Sequence, residues 1–243
     1  MSDSTNSSTM SAGGRAGTHP KEPARLVLVA PSTANEFNTL KAAIFPIACW
    51  RVDDVRFEFA SSFVTPDVAD EMTLLAKLVK DHTRDGQKPP ASVFGHADPV
   101  GDDHYNKQLS GRRAQAIYGL LTRDTALWED LYSHPLGNDN WGVKAIQTML
   151  KTVGHDPGAI DGVQGQKTTA AIKSFQQANG LAVDGVAGPK TREKLFLAYM
   201  DAICRDEQGS PFKLERSDFL AQGADKDGKG DYQGCSEFNP VML

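Results

Sequence analysis

The stretch that decides the fold of this chain is an eight-residue segment that occurs twice, as DGVQGQKT at 161–168 and DGVAGPKT at 184–191. Each copy begins with Asp-Gly, which favours a tight turn because glycine readily adopts a positive φ. Each copy ends with a Thr that precedes apolar residues at helical spacing, so that this Thr falls in the first helical turn. The repeat therefore predicts two turns that each start a helix.

Apolar residues at helical spacing surround the two turns. One set precedes the first turn, a second lies between the turns, and a third follows Pro189, which suits a first helical position. The three sets are Trp141, Val143, Ile146, Leu150 and Val153; Ala171, Ile172, Phe175 and Ala178; and Leu195, Phe196, Tyr199 and Ile203. Residues 141–203 are therefore predicted to form a small three-helix bundle.

The region before the bundle has a different pattern, in which strands and helices alternate. Residues 55–59 alternate apolar and charged side chains and predict a half-buried strand, and residues 91–95 predict a second strand. Helical spacing of apolar residues predicts one helix around 68–79 and another over 105–121. This β-α-β-α order is typical of a sheet with helices packed on it.

Composition narrows the classes of function. Of the 243 residues 40% are hydrophobic and 23% are charged, as in an ordinary globular protein. The net charge of -5 argues against a dedicated nucleic-acid binder, which would present a basic face. No apolar run approaches the roughly 18 residues that span a bilayer, so no membrane span is predicted.

Polar and turn-forming residues mark the ends of the two regions. Residues 1–24 are rich in Ser, Thr and Gly and lack the apolar stretch of a secretory signal, so they are predicted to be disordered. The segment SHPLGNDN at 133–140 has the composition of a linker. We therefore predict a first domain at 25–132, a helical domain at 141–203 and a loop-rich segment at 204–243.

The helical region resembles the small peptidoglycan-binding module found beside many bacterial cell-wall enzymes. The resemblance runs from about 141 to 195 and includes VKAIQ at 143–147, AIKSFQ at 171–176 and the two Asp-Gly turns. It implies peptidoglycan as a partner, bound in a groove near the Asp-Gly turns. The candidate contact residues are Trp141, Asp161, Gln176 and Asp184.

The first region resembles the OmpA-like peptidoglycan-associating domain. The matching segments are FEFASS at 57–62, GHAD at 95–98, YN at 105–106, LS at 109–110 and RA at 113–114. In that family an Asp and an Arg of these motifs hold the meso-diaminopimelate of the peptide stem. The resemblance implies the same role for Asp98 and Arg113. The other candidate ligand-binding residues are Phe59, Ala97, Tyr105, Asn106 and Leu109.

The residue types themselves agree with this chemistry. Arg113 follows Leu109 by four residues, so it falls on the apolar stripe of its predicted helix, where a guanidinium needs an anionic partner. Diaminopimelate carries a carboxylate and an ammonium on one carbon, and these suit Arg113 and Asp98 respectively. The alternative interpretation is an ion pair between Asp98 and Arg113 that only pins a helix to a strand.

Two features depart from the OmpA-like pattern. Position 60, often Asp or Asn in that family, is Ala60 here, which removes one polar contact. The family's closing strand does not follow Leu121, and its natural place is after the helical module, which would then be an insertion. Otherwise the chain is truncated or residues 25–29 fill the gap, because an unfilled sheet edge is a pairing liability.

No motif predicts catalysis, a cofactor or a metal. The chain lacks the G-x-S-x-G and H-E-x-x-H patterns. His96 and His104 flank Asp98 but do not have a recognised zinc spacing. The segment 225–231 resembles a calcium loop but has Lys229 where a ligand belongs. We therefore predict no catalytic residues, no metal and no cofactor.

The sequence as a whole predicts an α+β chain, in which an OmpA-like β-α-β-α sheet domain is followed by a three-helix peptidoglycan-binding bundle. The predicted function is non-catalytic anchoring to wall peptidoglycan in the periplasm or cell envelope, although no signal peptide is visible. Two alternatives stay open. One is the targeting part of a peptidoglycan hydrolase, and the other is an interaction component of an envelope or secretion machine that binds a protein partner.

Overall fold

The computed structural model describes residues 50–53, 56–97, 102–224 and 230–235. Its α-helices are α1 Ala69–His82, α2 Asp103–Thr122, α3 Thr125–Ser133, α4 Gly142–Thr152, α5 Gln166–Ala178 and α6 Pro189–Ile203, and its strands are β1 Val93–Gly95 and β2 Tyr232–Gly234. The predicted helices are thus confirmed as α1, α2, α4, α5 and α6. None of the described helices is both long and apolar enough to cross a membrane.

Several predictions concern residues outside these ranges. The predicted disordered segment 1–24, the strand candidate 25–29, the ligand residue Asp98 and most of the loop 225–231 are not among the described residues. They stay predictions.

The two described strands form a parallel sheet. Val93 pairs with Tyr232 and Gly95 pairs with Gly234. Because β2 comes after all the bundle helices, the bundle is inserted between two strands that are neighbours in space. A strand therefore lies where the insertion hypothesis requires one.

The predicted first strand does not join this sheet in the part described. Phe57 instead forms an antiparallel bridge with Val64, and the Glu58 N–H donates to the carbonyl of Phe63 at 3.0 Å. Between them the chain reverses at Ala60, whose φ is +51°. The predicted half-buried strand is therefore wrong over these residues. The chain turns at Ala60, so Phe57 and Glu58 pair with Val64 and Phe63 of the same hairpin. We call residues 57–64 the N-terminal hairpin.

One hydrophobic core runs through both predicted domains, inside a compact unit that spans Ala48–Leu243. At the junction, Trp141 of the bundle region packs edge-on against Trp128, with ring centroids 5.2 Å apart, and against Phe63 at 5.3 Å. Full burial of one large apolar side chain contributes about 1.5–3 kcal/mol. The bundle and the region before it therefore share the packing that stabilises each of them.

Helix α3 was not predicted from the sequence. Its start is capped by the Asp124 carboxylate, which accepts from two backbone N–H groups at 3.2 and 3.4 Å. Its buried residues are Trp128 and Leu131, too few to establish a helical period. It packs on α6, where the Arg192 Nε donates to a Glu129 oxygen at 2.9 Å. The helix thus connects the predicted first domain to the bundle.

The segment predicted as a linker is a folded turn. Leu136 and Asp139 exchange two backbone hydrogen bonds of 3.0 and 2.9 Å. Between them Gly137 has a φ of +56°, and a Cβ there would lie 2.9 Å from the ring of Tyr105. The segment therefore packs on the start of α2.

Two glycines let the sheet lie directly on α2. A Cβ on Gly95 would lie 1.9 Å from the carbonyl oxygen of Ser110, and a Cβ on Gly234 would lie 2.4 Å from the backbone nitrogen of Gly111. Real Cβ atoms do not approach backbone so closely, so each strand needs glycine at this point. The contact brings the end of β1 to the part of α2 that carries Arg113.

Candidate functional site

Arg113 lies on the buried face of α2, as predicted, and is only 8% exposed. Its Nε donates to the Ser61 carbonyl at 3.0 Å, and its guanidinium lies 5.0 Å from the ring centroid of Phe57. Both partners belong to the N-terminal hairpin. A guanidinium held by a carbonyl and an aromatic face has a defined orientation, which is what recognition of a planar carboxylate requires.

Two other predicted residues lie on the same helix face as Arg113. Asn106 and Leu109 are buried, and their spacing from Arg113 is that of one side of a helix. Ala97, which follows β1, is half-buried. The structure therefore brings Asn106, Leu109 and Arg113 together on one stripe.

Tyr105 and Phe59 have different surroundings. The Tyr105 ring packs against Gly137, and its hydroxyl is buried with no hydrogen-bond partner among the residues described. Phe59 is 95% exposed at the tip of the N-terminal hairpin, directly before the turn at Ala60. Phe59 is thus available at the surface, whereas Tyr105 contributes to the packing of α2.

A buried carboxylate that sequence reasoning missed lies at the centre of this site. Asp139 is 0% exposed and accepts from the Ser61 hydroxyl at 2.7 Å, from the Ser62 N–H at 2.8 Å and from the Ser62 hydroxyl at 2.7 Å. The Arg112 Nε donates to it at 2.5 Å, and the other two nitrogens of that guanidinium donate to carbonyls at the end of α3. A buried charge with this many donors is well compensated.

Side chains of the bundle region also hold the N-terminal hairpin. The Trp141 indole donates to the Ser62 hydroxyl at 3.1 Å, the Tyr199 hydroxyl donates to a hairpin carbonyl at 2.8 Å, and Lys144 forms an ion pair with Glu58. Trp141 is only 1% exposed. Its observed role is in the core, because almost none of its surface can touch a ligand.

A buried glutamine holds the first Asp-Gly turn. The Gln147 amide nitrogen donates to the Asp161 carboxylate at 2.9 Å and to the Thr168 hydroxyl at 3.0 Å, and its oxygen accepts from the Gly162 N–H at 2.8 Å. Thr168 lies in the first turn of α5, as predicted. Two hydrogen bonds lower the pKa of Asp161. The larger effect comes from Gln147 and the smaller from the Val163 N–H.

The second turn repeats this arrangement. The Gln176 amide nitrogen donates to Asp184 at 2.7 Å and to Thr191 at 3.1 Å, and its oxygen accepts from the Gly185 N–H at 2.9 Å. Hydrogen bonds also lower the pKa of the Asp184 carboxyl, with the larger effect from the Val186 N–H and the smaller from Gln176. The predicted contact residues Asp161, Gln176 and Asp184 thus have structural roles, each as part of a turn.

Exposed apolar side chains lie in and beside the two turns. We call Val163, Val183 and Val186, which are each more than half exposed, the valine face. A shallow groove beside the first turn is lined by Gln164, Gly165, Gln166, Thr169, Ala170 and Lys173. The second turn meets this groove, since a Cβ on Gly185 would lie 2.8 Å from Thr169. The surface combines apolar side chains, amides and one cation.

Among the described residues, no group of three His, Cys, Asp or Glu side chains is placed to hold a metal ion. His96 lies just past β1, where burial lowers its pKa.

Residues 141–195 match the model of a protein family described as "Putative peptidoglycan binding domain". This range starts at Trp141, includes both Asp-Gly turns and ends within α6. The helical region of the chain is therefore similar to a peptidoglycan-binding domain.

Curated proteins with similar sequences include enzymes and an outer membrane protein. N-acetylmuramoyl-L-alanine amidase CwlM of Mycobacterium tuberculosis is 30% identical over 95 residues, 39% of this chain and 22% of that protein. A spore cortex-lytic enzyme of Bacillus cereus is 45% identical over 53 residues, 22% of this chain and 20% of that enzyme. Outer membrane protein 41 of Porphyromonas gingivalis is 35% identical over 79 residues, 32% of this chain and 19% of that protein.

The chain thus spans about a fifth of the length of each of these relatives. No solved structure matches it.

Proposed function

We propose that this protein binds the peptidoglycan of the bacterial cell wall without catalysing a reaction, and so anchors itself or an associated assembly in the envelope. The observation that carries this proposal is the match of residues 141–195 to a peptidoglycan-binding domain. The likeness to an outer membrane protein supports an envelope location.

The finer part of the proposal concerns the peptide stem. The Arg113 guanidinium receives a carboxylate of diaminopimelate, and Asp98 receives the ammonium on the same carbon. The fixed orientation of Arg113 supports this assignment, as does the buried amide of Asn106 on the same helix face. Charge-assisted hydrogen bonds of this kind contribute about 1.5–3 kcal/mol each.

The helical region supplies a second, weaker contact. We place it at the valine face and the neighbouring groove, because the three valines are exposed whereas Gln176 is buried. Lys173 offers a cation to an anionic polymer. Two weak sites on one polymer increase avidity by about 10²–10⁴-fold over either site, provided that both can be reached at once.

A sacculus pull-down tests this proposal. The wild type is compared with Asp98→Ala, with Arg113→Ala and with the control Arg51→Ala, which removes an exposed guanidinium. We expect the wild type and the control to sediment with sacculi, whereas both site variants should remain mostly in the supernatant. Equal sedimentation of all four would assign binding to the helical region alone. Absence of sedimentation by folded wild type would contradict the proposal.

A second candidate function is the targeting part of a peptidoglycan hydrolase. It is favoured by the likeness to an amidase and to a cortex-lytic enzyme. Incubation of the purified chain with sacculi tests whether the chain itself contains the hydrolase activity. Release of soluble muropeptides by the chain itself would show hydrolysis, whereas binding without release is expected of an anchor.

A further inference from the structure

We infer that Asp139 is a positioning residue for Arg113, so that the segment leading into the helical bundle sets up the stem-binding site of the first region. This inference rests on the proposed role of Arg113. It assigns a function to a residue that lies in the predicted linker and in neither of the resemblance motifs.

The contacts run from Asp139 to Arg113 through one short turn. Asp139 accepts from the Ser61 hydroxyl at 2.7 Å and from the Ser62 N–H at 2.8 Å, and this N–H belongs to the peptide unit that joins the two serines. The carbonyl of that same peptide unit, on Ser61, accepts from the Arg113 Nε at 3.0 Å. The carboxylate therefore orients the carbonyl that in turn orients the guanidinium.

Two adjacent arginines of α2 contact this arrangement. Arg112 donates to Asp139 at 2.5 Å, and Arg113 donates to the carbonyl of Ser61. Both arginines belong to α2, so the helix grips the serine turn once through the carboxylate and once directly. Loss of the charge at Asp139 removes one of these two grips and leaves the Ser61 carbonyl less constrained.

Small displacements matter for recognition of a carboxylate. A bidentate guanidinium contact is directional, and a site must be held within about 0.5 Å of its productive geometry to act fully. Asp139 is completely buried, so it does not contact a ligand itself. Any effect of this residue on ligand binding must pass through the groups it holds.

The inference predicts that Asp139 and Arg113 are coupled in ligand binding. Asp139→Asn keeps the size of the side chain and removes its charge. With the full chain and a stem tripeptide ending in meso-diaminopimelate, we expect this change to weaken binding about tenfold. In an Arg113→Lys background, which keeps a cation but loses the guanidinium fork, the same change should weaken binding less than about twofold.

A second readout separates positioning from general stability. The wild type should prefer the free diaminopimelate peptide over the same peptide with that carboxylate amidated, and Asp139→Asn should reduce this preference. Asn138→Ala, a change at the exposed neighbouring position, is the matched control and should alter neither affinity nor preference. Thermal unfolding of each variant is measured alongside.

The outcomes are distinct. Additive effects of the two substitutions, or an unchanged preference in Asp139→Asn, would overturn the inference and leave the proposed function standing. Failure of the folded wild type to bind the tripeptide would overturn the stem-binding role of Arg113 and this inference with it. If Asp139→Asn does not fold, Ser61→Ala takes its place, because it removes one bond to Asp139 and keeps the carbonyl. The same criteria then apply.

Discussion

At the scale of single residues, buried polar side chains hold the turns on which both regions depend. An amide group has both donors and an acceptor, so Gln147 and Gln176 can each satisfy a carboxylate, a hydroxyl and a backbone N–H at one turn. The Asp139 carboxylate holds the serine turn by accepting from a hydroxyl and a backbone N–H. These residues are buried because their hydrogen bonds replace those with water.

Replacing Gln176 should therefore be costly. Gln176→Ala leaves the buried Gly185 N–H without its acceptor and removes one of the donors to the Asp184 carboxylate, and we expect a loss of about 2–3 kcal/mol in the free energy of unfolding. Urea denaturation measures it. The exposed neighbour Gln177→Ala is the control and should change stability by less than about 0.5 kcal/mol. Similar losses in both variants would contradict the role assigned to Gln176.

The two turn carboxylates predict an acid sensitivity. Hydrogen bonds lower the pKa of Asp161 and of Asp184 below the ordinary value of 3.8, so their folded forms favour the charged state. A lowered pKa contributes stability that is complete above 3.8 and is lost as pH falls through the folded pKa. We expect the melting temperature of the wild type to fall over this range more steeply than that of an Asp161→Asn/Asp184→Asn variant. Parallel curves would contradict this.

At the scale of elements, the close contact between the sheet and α2 determines where Arg113 lies. Strands β1 and β2 both meet the helix through glycine, one against Ser110 and the other against Gly111. The sheet has only two described strands, so this contact rather than sheet size holds it in place. The strand after the bundle is thus joined to the helix before it.

Filling this contact should destabilise the fold. Gly95→Ala would place a Cβ 1.9 Å from a backbone oxygen, which the helix can accommodate only by moving. We expect the free energy of unfolding to fall by about 1–3 kcal/mol. Sacculus binding should also weaken, because α2 carries Arg113. Gly188→Ala is the matched control, since nothing lies within 4 Å of its added Cβ. Equal stability of the two variants in urea would contradict the close packing.

At the scale of the whole molecule, the bundle and the first region share one core. Trp128, Trp141 and Phe63 lie at their junction and are each almost fully buried. Ion pairs between α3 and α6 and between Lys144 and Glu58 add polar contacts across the same boundary. This arrangement holds the proposed stem site and the valine face in one compact unit.

A shared core predicts cooperative unfolding. Two of the three tryptophans, Trp128 and Trp141, lie at the junction and contribute to the fluorescence, whereas far-UV circular dichroism reports on all helices. We expect the two probes to give one coincident transition in urea, as for a single two-state unit. Two separate transitions would instead indicate that the bundle unfolds independently of the first region.

The sequence by itself determined the helices around the Asp-Gly turns, the helices α1 and α2, and the buried position of Arg113. These features depend on spacings of three or four residues, which are visible in the sequence itself. The pairing of Gln147 and Gln176 with their turns was also within reach. The segments VKAIQ and IKSFQ place a Lys and a Gln at matching positions before the two turns.

Only the tertiary structure decided the rest. The N-terminal hairpin, helix α3, strand β2 and the role of Asp139 depend on contacts between distant parts of the chain, such as that between Ser61 and Asp139, which are 78 residues apart. Local spacing carries no information about such pairs, because a short polar segment reads as a linker whether it is exposed or folded against a helix. The sequence therefore located the arginine, whereas the fold supplied the groups that orient it.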